Sequence, residues 1–166
     1  MCYGAVHMRT SVSFAAIFLS ISVALSGQTL KVQNGGRQVS VSSEDLRARP
    51  HETITIHDPH TNQDETYSGV LLIELLKQVG VPTGHDVRGK ALSQYIVATG
   101  SDGYKAVLAL AEVEPDFHPG EVIVADALDG KPLDAKTGPF RLVVSEDKRP
   151  ARSVRNLVSI EMESAQ

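Results

Sequence analysis

Short runs of β-branched and aliphatic residues, each ended by a turn-forming group, fill the chain from residue 27 onward. Glycine, asparagine and aspartate suit tight turns, and β-branched residues suit extended backbone. This pattern restricts the chain to many short strands with few helices between them. The turn signals are Asn34-Gly35-Gly36, Asp102-Gly103, Asp129-Gly130 and Gly138-Pro139.

Residues 30–41 alternate in polarity around Asn34-Gly35-Gly36 and are predicted to form a hairpin. Residues 57–65 are polar and are predicted to be a loop. The remaining strands are predicted at residues 53–56, 94–99, 104–108, 122–125, 140–145 and 154–161.

The clearest predicted helix covers residues 69–79, with Ser68 as its N-cap and Gly80 after its end. Shorter helices are predicted over residues 42–49, where Ser42 and Asp45 form a capping box, and over residues 110–114. Together these elements predict an α+β domain that is mostly β, with one or more mixed sheets and two or three helices. The apolar face of the clearest helix consists of Leu71, Leu72, Leu75, Leu76 and Val79.

The N-terminal 26 residues predict a signal peptide. An uncharged apolar run at residues 12–25 follows Arg9, and Ala24-Leu25-Ser26 fits a small-x-small cleavage pattern. The run is shorter than the roughly 20 residues of a membrane helix, although an uncleaved anchor is the alternative. Because only one arginine precedes the run, the twin-arginine route is not indicated. We expect residues 27–166 to form one periplasmic or secreted domain, with Met8 as an alternative start.

Composition argues against several functional classes. A formal net charge of -4 and an aromatic content of 5% disfavour nucleic-acid binding. The single cysteine, Cys2, falls in the predicted signal peptide, so the expected mature domain has no thiolate for a disulfide, for catalysis or for metal binding. We expect no stable membrane insertion once the signal peptide is removed.

Five motifs occur in the order in which a known family has them. They are Tyr67-Ser68-Gly69-Val70-Leu71 with Leu75-Leu76 and Gly80-Val81; Ser101-Asp102-Gly103-Tyr104; Asp129-Gly130-Lys131-Pro132-Leu133; Gly138-Pro139-Phe140-Arg141-Leu142-Val143-Val144; and Ala151-Arg152-Ser153-Val154-Arg155. In these motifs, over about residues 54–162, the chain resembles the oxidoreductase molybdopterin-binding domain family of the sulfite-oxidase type.

The resemblance implies a sulfite-oxidase-like fold and a molybdopterin cofactor whose pyrophosphate contacts Arg152, Ser153 and Arg155. It also implies a cysteine at the end of an early strand that binds molybdenum. That position falls here near His57 and Asp58, and neither residue supplies a thiolate. We therefore predict no cofactor from the residues themselves. Molybdopterin is the cofactor that the resemblance implies.

Cationic residues are concentrated near the end of the chain. Lys148, Arg149, Arg152 and Arg155 fall within eight residues, and Arg141 lies on the preceding predicted strand. Guanidinium groups bind phosphate or carboxylate through paired hydrogen bonds, so we predict a pocket for a small anion. The alternative is a solvated basic turn paired with neighbouring acidic residues.

Each of two further groups of residues can be explained either by a functional site or by ordinary loop and turn structure. His57, Asp58 and His60 are weak candidates for a metal, but residues of this kind are common in polar loops, and we predict no metal site. Asp102 and Tyr104 lie in a turn that the resemblance places on the substrate side, although an Asp-Gly turn has a purely structural explanation. No serine lies in a Gly-x-Ser-x-Gly motif, and catalytic residues stay unassigned.

Three functions remain open. The preferred one is an exported ligand-binding or accessory module of a redox system that has lost the molybdenum thiolate. The alternatives are an active oxidoreductase with a metal ligand other than cysteine, such as His57 or Asp58, and a structural or interaction domain without a ligand. The expected partner is a small anionic ligand or a redox protein.

Overall fold

A computed structural model of the chain describes residue 1, residues 27–59 and residues 61–165. The predicted signal peptide beyond residue 1, including Met8 and Cys2, lies outside the described residues, and so does His60. None of the helices in the described ranges has the length and apolar character needed to cross a bilayer.

Within these ranges the chain forms strands β1 (Thr29–Asn34), β2 (Arg37–Ser42), β3 (Glu52–Asp58), β4 (Gln63–Leu71), β5 (Gln94–Gly100), β6 (Lys105–Ala109), β7 (Val122–Leu128), β8 (Lys131–Pro132), β9 (Arg141–Val144) and β10 (Leu157–Ser164). The α-helices are α1 (Ser43–Arg47), α2 (Leu72–Lys77) and α3 (Leu110–Val113). Short 3-10 helices occupy Gly84–Asp86, Gly89–Ser93 and Pro150–Arg152.

The strands form two five-stranded sheets. Sheet A has the order β2-β1-β10-β5-β6. It is mixed, because β1 pairs in parallel with β10 while every other pair of neighbouring strands in this sheet is antiparallel. Sheet B has the order β3-β4-β7-β8, with β9 also paired to β7. The predicted α+β class, mostly β with a mixed sheet and three helices, is confirmed.

Sheet B is buried on both faces near its centre. Along β7 and β9, alternate residues such as Val124 and Leu142 join the main core, which is shared with sheet A and the helices. The residues between them, such as Ile123 and Val143, join a smaller cluster with Ile56 and Tyr67. Burial on two faces explains why β9 is buried along its whole length.

Local sequence signals are confirmed where a turn or cap fixes the structure. β1 and β2 form the predicted hairpin, with Gly35 at a φ of 55°. The capping box of Ser42 and Asp45 is present at the start of α1. Helix α3 begins at Leu110 as predicted.

The predicted helix over residues 69–79 is wrong in its first turn. Residues 69–71 end β4, and α2 begins at Leu72 with Leu71 rather than Ser68 at its N-cap. The reason is tertiary, because β4 is paired with both β3 and β7. A Cβ on Gly69 would lie 2.2 Å from the Val124 carbonyl oxygen, so only glycine allows this approach of β4 to β7.

The predicted polar loop over residues 57–65 is also wrong. Residues 57 and 58 end β3, residues 63–65 begin β4, and the tight connection between them includes Asn62 at a φ of 53°. Polar residues occupy this hairpin because its outer face is exposed, as in the cross-strand hydrogen bond between the Thr55 and Thr66 hydroxyls.

Candidate functional site

A cavity of about 860 Å³ opens on the face of sheet B that carries the smaller apolar cluster. Strands β3, β4 and β7 contribute Ile56, Tyr67 and Leu128 to its wall. Loops supply most of its polar residues, and one of these loops, between β9 and β10, connects the two sheets. The structure brings the following sequence-predicted residues together here: Asp58, Asp102, Tyr104, Arg141, Lys148, Arg149, Ser153 and Arg155. We call this the basic cavity.

Arg141, the first residue of β9, is the most buried cation of the basic cavity, with 5% of its surface exposed. Its Nη1 donates a hydrogen bond to the Tyr67 hydroxyl, and its guanidinium carbon lies 4.6 Å from the Tyr67 ring centroid. Its Nε is buried without a hydrogen-bond partner. Within the described part of the chain, Arg141 forms no ion pair. A buried charge without a direct ion pair is costly, so Arg141 is a group that an anionic partner would stabilise.

Tyr67 connects Arg141 to a carboxylate. The Tyr67 side chain is fully buried, and its hydroxyl donates to Glu65 Oε2 over 2.6 Å. Burial, and then the hydrogen bond to Glu65, raises the pKa of Tyr67 well above its usual value. The phenol therefore keeps its proton and serves Arg141 as a neutral acceptor.

Ser153 provides a second buried polar atom without a partner. The residue is 7% exposed, and its Oγ has no hydrogen bond within the described ranges. Its place is fixed by the backbone, because the Ser153 amide donates to the Pro150 carbonyl and the next residue, Val154, accepts from the Leu142 amide. Buried polar groups are nearly always paired, so the Ser153 hydroxyl and the Arg141 Nε are two atoms of this cavity to which a polar ligand could bind.

Four more cations line the basic cavity, and none of them forms an ion pair with a described residue. Arg155 lies close enough to Tyr67 for its charge to lower the pKa of the phenol, although burial outweighs this effect. These cations are Lys136, Lys148, Arg149 and Arg155.

Two of the acidic residues at the cavity are engaged in turns. Asp134 Oδ1 accepts from the Lys136 and Thr137 amides and from the Thr137 hydroxyl. The Thr137 hydroxyl, foremost among these, lowers the pKa of Asp134. Asp102 Oδ1 accepts from the Tyr104 amide. These carboxylates therefore stabilise loops rather than neutralise the arginines.

Tyr104 links two loops at the mouth of the cavity. Its side chain is 50% exposed, so it is not a core residue, and its hydroxyl donates to the Ala151 carbonyl over 2.7 Å. This bond ties the turn between β5 and β6 to the loop that carries Lys148, Arg149 and Ser153.

The structure places Arg152 outside the basic cavity. Its Nη1 lies 2.8 Å from Glu112 Oε1, and its Nη2 lies 2.6 Å from Asp147 Oδ1. These groups line a separate cavity of about 150 Å³. Arg152 and Ser153 point in different directions because the 3-10 helix ends between them, a reversal that adjacent positions in a sequence do not reveal.

The two weak metal candidates among the described residues, His57 and Asp58, lie on different faces of β3. His57 projects from the opposite face of β3 to Ile56, and its Nδ1 lies 2.8 Å from Asp64 Oδ1. Asp58 lines the basic cavity. A third histidine near this segment, His51, has its Nε2 3.3 Å from Asp126 Oδ1. In the described ranges, no group of three or more His, Cys, Asp or Glu side chains has a metal-binding arrangement.

Sequence reasoning missed five polar residues of the cavity, which are Glu65, Tyr67, Asp134, Lys136 and Thr137. The sequence patterns predict a loop up to residue 65 and a helix from residue 69, which leaves no strand on which Glu65 and Tyr67 would share a face. Alternation along β4 is the signal that identifies them, because residues 65 and 67 of a strand point to the same side. Lys136 and Thr137 lie in a loop without periodicity, which offers no such signal.

Comparison with known proteins agrees with this architecture. A family model described as oxidoreductase molybdopterin binding domain matches residues 21–166. Among solved structures, the sulfane dehydrogenase SoxCD from Paracoccus pantotrophus matches with a TM-score of 0.64 and 18% identity. That match covers 83% of this chain and 38% of the other, so this chain spans well under half of that relative, and the likeness concerns the fold. No curated protein sequence is similar enough to count as a relative.

Replacing Arg152 with alanine should lower the free energy of unfolding by about 1 kcal/mol, because both ion pairs are lost. Arg155→Ala is the matched control, since Arg155 has no ion pair with a described residue. We expect it to change the free energy by less than about 0.5 kcal/mol. Urea unfolding at neutral pH measures both variants.

The penalty for Arg152→Ala should also depend on pH. Burial alone would raise the pKa of Glu112, but hydrogen bonds from Arg152 and the Ala109 amide lower it below its usual 4.5. The Glu112 contribution is thus present above pH 4.5 and lost as the pH falls through the lowered pKa. An equal penalty at neutral pH and in strong acid would contradict this assignment.

Proposed function

We propose that this chain, which belongs to the oxidoreductase molybdopterin-binding domain family, is an exported module that binds a phosphorylated anion in its basic cavity. The observation that carries the proposal is Arg141, a buried guanidinium with an unpartnered Nε and no ion pair within the described ranges. An anion that accepts from Nε would satisfy the donor and compensate the charge at once.

The surroundings of Arg141 favour a phosphate over a single carboxylate. Ser153 Oγ offers a hydroxyl for another ligand oxygen, and Arg155 adds a second guanidinium. A phosphate or pyrophosphate has enough oxygens and charge for all three groups, whereas one carboxylate has only two oxygens. The volume of about 860 Å³ leaves room for an organic group attached to the phosphate.

The residues fit one part of a molybdopterin cofactor and not the other. Arg141, Ser153 and Arg155 would hold its phosphate-bearing end. When bound, that cofactor supplies two-electron redox chemistry at its metal. The protein's part at the metal is a thiolate, and the chain has one cysteine, Cys2, which is not among the described residues. The cavity residue at the end of β3 is Asp58, whose hard oxygens are a poor substitute for sulfur.

We therefore favour an accessory, ligand-binding role in a redox system over oxidoreductase activity. Export is supported by the apolar run at residues 12–25 with its cleavage pattern. Because only one arginine precedes this run, the chain would cross the membrane unfolded and take up its ligand afterwards. Asp102 and Tyr104 would lie beside the ligand, at the mouth of the cavity.

The direct test is binding of inorganic pyrophosphate to the purified chain, measured by titration calorimetry at low ionic strength. We expect a dissociation constant in the micromolar range, a loss of about tenfold for Ser153→Ala and a larger loss for Arg155→Ala. Arg152→Ala is the matched control, because it removes an equal charge outside the basic cavity and should retain binding within about twofold.

Equal losses for Arg152→Ala and Arg155→Ala would show that pyrophosphate responds only to net charge. No heat of binding to the wild-type chain, together with no shift of its melting temperature, would refute the proposed function.

Loss of the metal thiolate has its own test. Protein purified from its native source should contain far less than one equivalent of molybdenum by elemental analysis, while mass spectrometry should find a co-purified phosphorylated compound. Stoichiometric molybdenum that survives replacement of Cys2 with serine would establish a metal ligand other than sulfur and favour the oxidoreductase alternative.

A further inference from the structure

The guanidinium of Arg141 offers its two edges to different surroundings. Nη1, on one edge, donates to the Tyr67 hydroxyl. Nε and Nη2 form the opposite edge. Nε is buried without a hydrogen-bond partner, and within the described ranges the Arg141 side chain makes its hydrogen bond through Nη1 and not through Nη2. This second edge presents two parallel N–H donors, the arrangement that matches two oxygens of a phosphate or carboxylate.

We infer that Tyr67, held by Glu65, is the positioning residue that fixes the orientation of Arg141, so that its Nε–Nη2 edge forms a paired oxyanion site in the basic cavity. This inference rests on the proposed function and deepens it. It assigns a positioning role to Tyr67 and Glu65, neither of which needs to contact the anion.

Strand geometry gives Tyr67 this role. Tyr67 and Glu65 lie on the same face of β4, two residues apart, and the Tyr67 hydroxyl donates to Glu65 Oε2 over 2.6 Å. Because the proton of the phenol is directed to Glu65, a lone pair of its oxygen is left to accept from Arg141. Glu65 thus determines which way the hydroxyl points, and the hydroxyl determines which edge of Arg141 is occupied.

The Tyr67 ring restricts Arg141 in a second direction. The guanidinium carbon lies 4.6 Å from the ring centroid, a distance that allows a cation–π contact. Tyr67 is itself fixed, since it is fully buried in the smaller cluster with Ile54 and Ile123. A mobile arginine side chain loses conformational entropy when it binds an anion. Because Tyr67 already restricts Arg141 before the anion binds, less entropy is lost on binding.

The test measures the pyrophosphate dissociation constant of the full chain in a double-mutant cycle. Tyr67→Phe keeps the ring and removes the hydroxyl, and Arg141→Lys keeps the charge and removes the paired donors. We expect Tyr67→Phe to weaken binding about tenfold in the wild-type background and less than about twofold in the Arg141→Lys background. Tyr95→Phe, on β5 and away from the cavity, is the matched control and should bind as wild type does.

Variants at Glu65 separate positioning from general stability. Glu65→Gln retains an oxygen acceptor for the phenol and should bind pyrophosphate within about twofold of wild type, whereas Glu65→Ala should weaken it by about fivefold or more. Glu65 is only partly buried, so these variants remain informative if Tyr67→Phe does not fold. Equal binding by Glu65→Ala and wild type would overturn the inference.

A readout without ligand distinguishes failure of this inference from failure of the proposed function. The ¹⁵Nε–H signal of Arg141 in the ligand-free chain should be sharp in wild type and broadened or shifted in Glu65→Ala, because the guanidinium is released. An unchanged signal overturns the positioning role even if pyrophosphate binds. A changed signal without pyrophosphate binding supports the positioning role and refutes the proposed function.

Discussion

The site depends on one constraint, which is that β9 is buried on both faces and begins with an arginine. Valine and leucine fill most of β9, so its surroundings are apolar, and the Arg141 guanidinium can leave them only toward the basic cavity. There it meets a neutral phenol rather than a carboxylate. Burying the Arg141 guanidinium beside a neutral phenol costs free energy, and the packing of the surrounding fold offsets this cost.

The rest of the cavity follows from how two sheets are connected. β4 and β7 approach closely at Gly69, which brings Tyr67 and Leu128 opposite each other in the sheet. The chain then enters β9 and leaves it through the loop and 3-10 helix that carry Ser153. The Tyr104–Ala151 hydrogen bond joins this loop to sheet A. Arg141 and the Tyr67 hydroxyl are thus presented by strands, whereas Ser153 and Arg155 lie on a loop that strands anchor.

Sequence reasoning succeeded where the cause of structure is local. The Asn34-Gly35-Gly36 turn and the Ser42–Asp45 capping box each act within a few residues, and the strand pattern sufficed for the fold class. It failed at residues 69–71, where strand pairing on both sides outweighs helical periodicity. For the site, the resemblance implied Arg152, Ser153 and Arg155, and the cluster of cations added Arg141. The partners of each cation could not be predicted, because Arg152 differs from Arg155 only in what the fold places beside it.

The most direct test of this account is the free energy of unfolding of Arg141→Met, measured with and without pyrophosphate. Methionine has a similar length and no charge, so the account predicts that the ligand-free variant is more stable than wild type by about 1 kcal/mol. Pyrophosphate should stabilise only the wild-type chain. A variant that is less stable than wild type without ligand, and that pyrophosphate stabilises equally, would show that the Arg141 charge is compensated within the protein and does not await an anion.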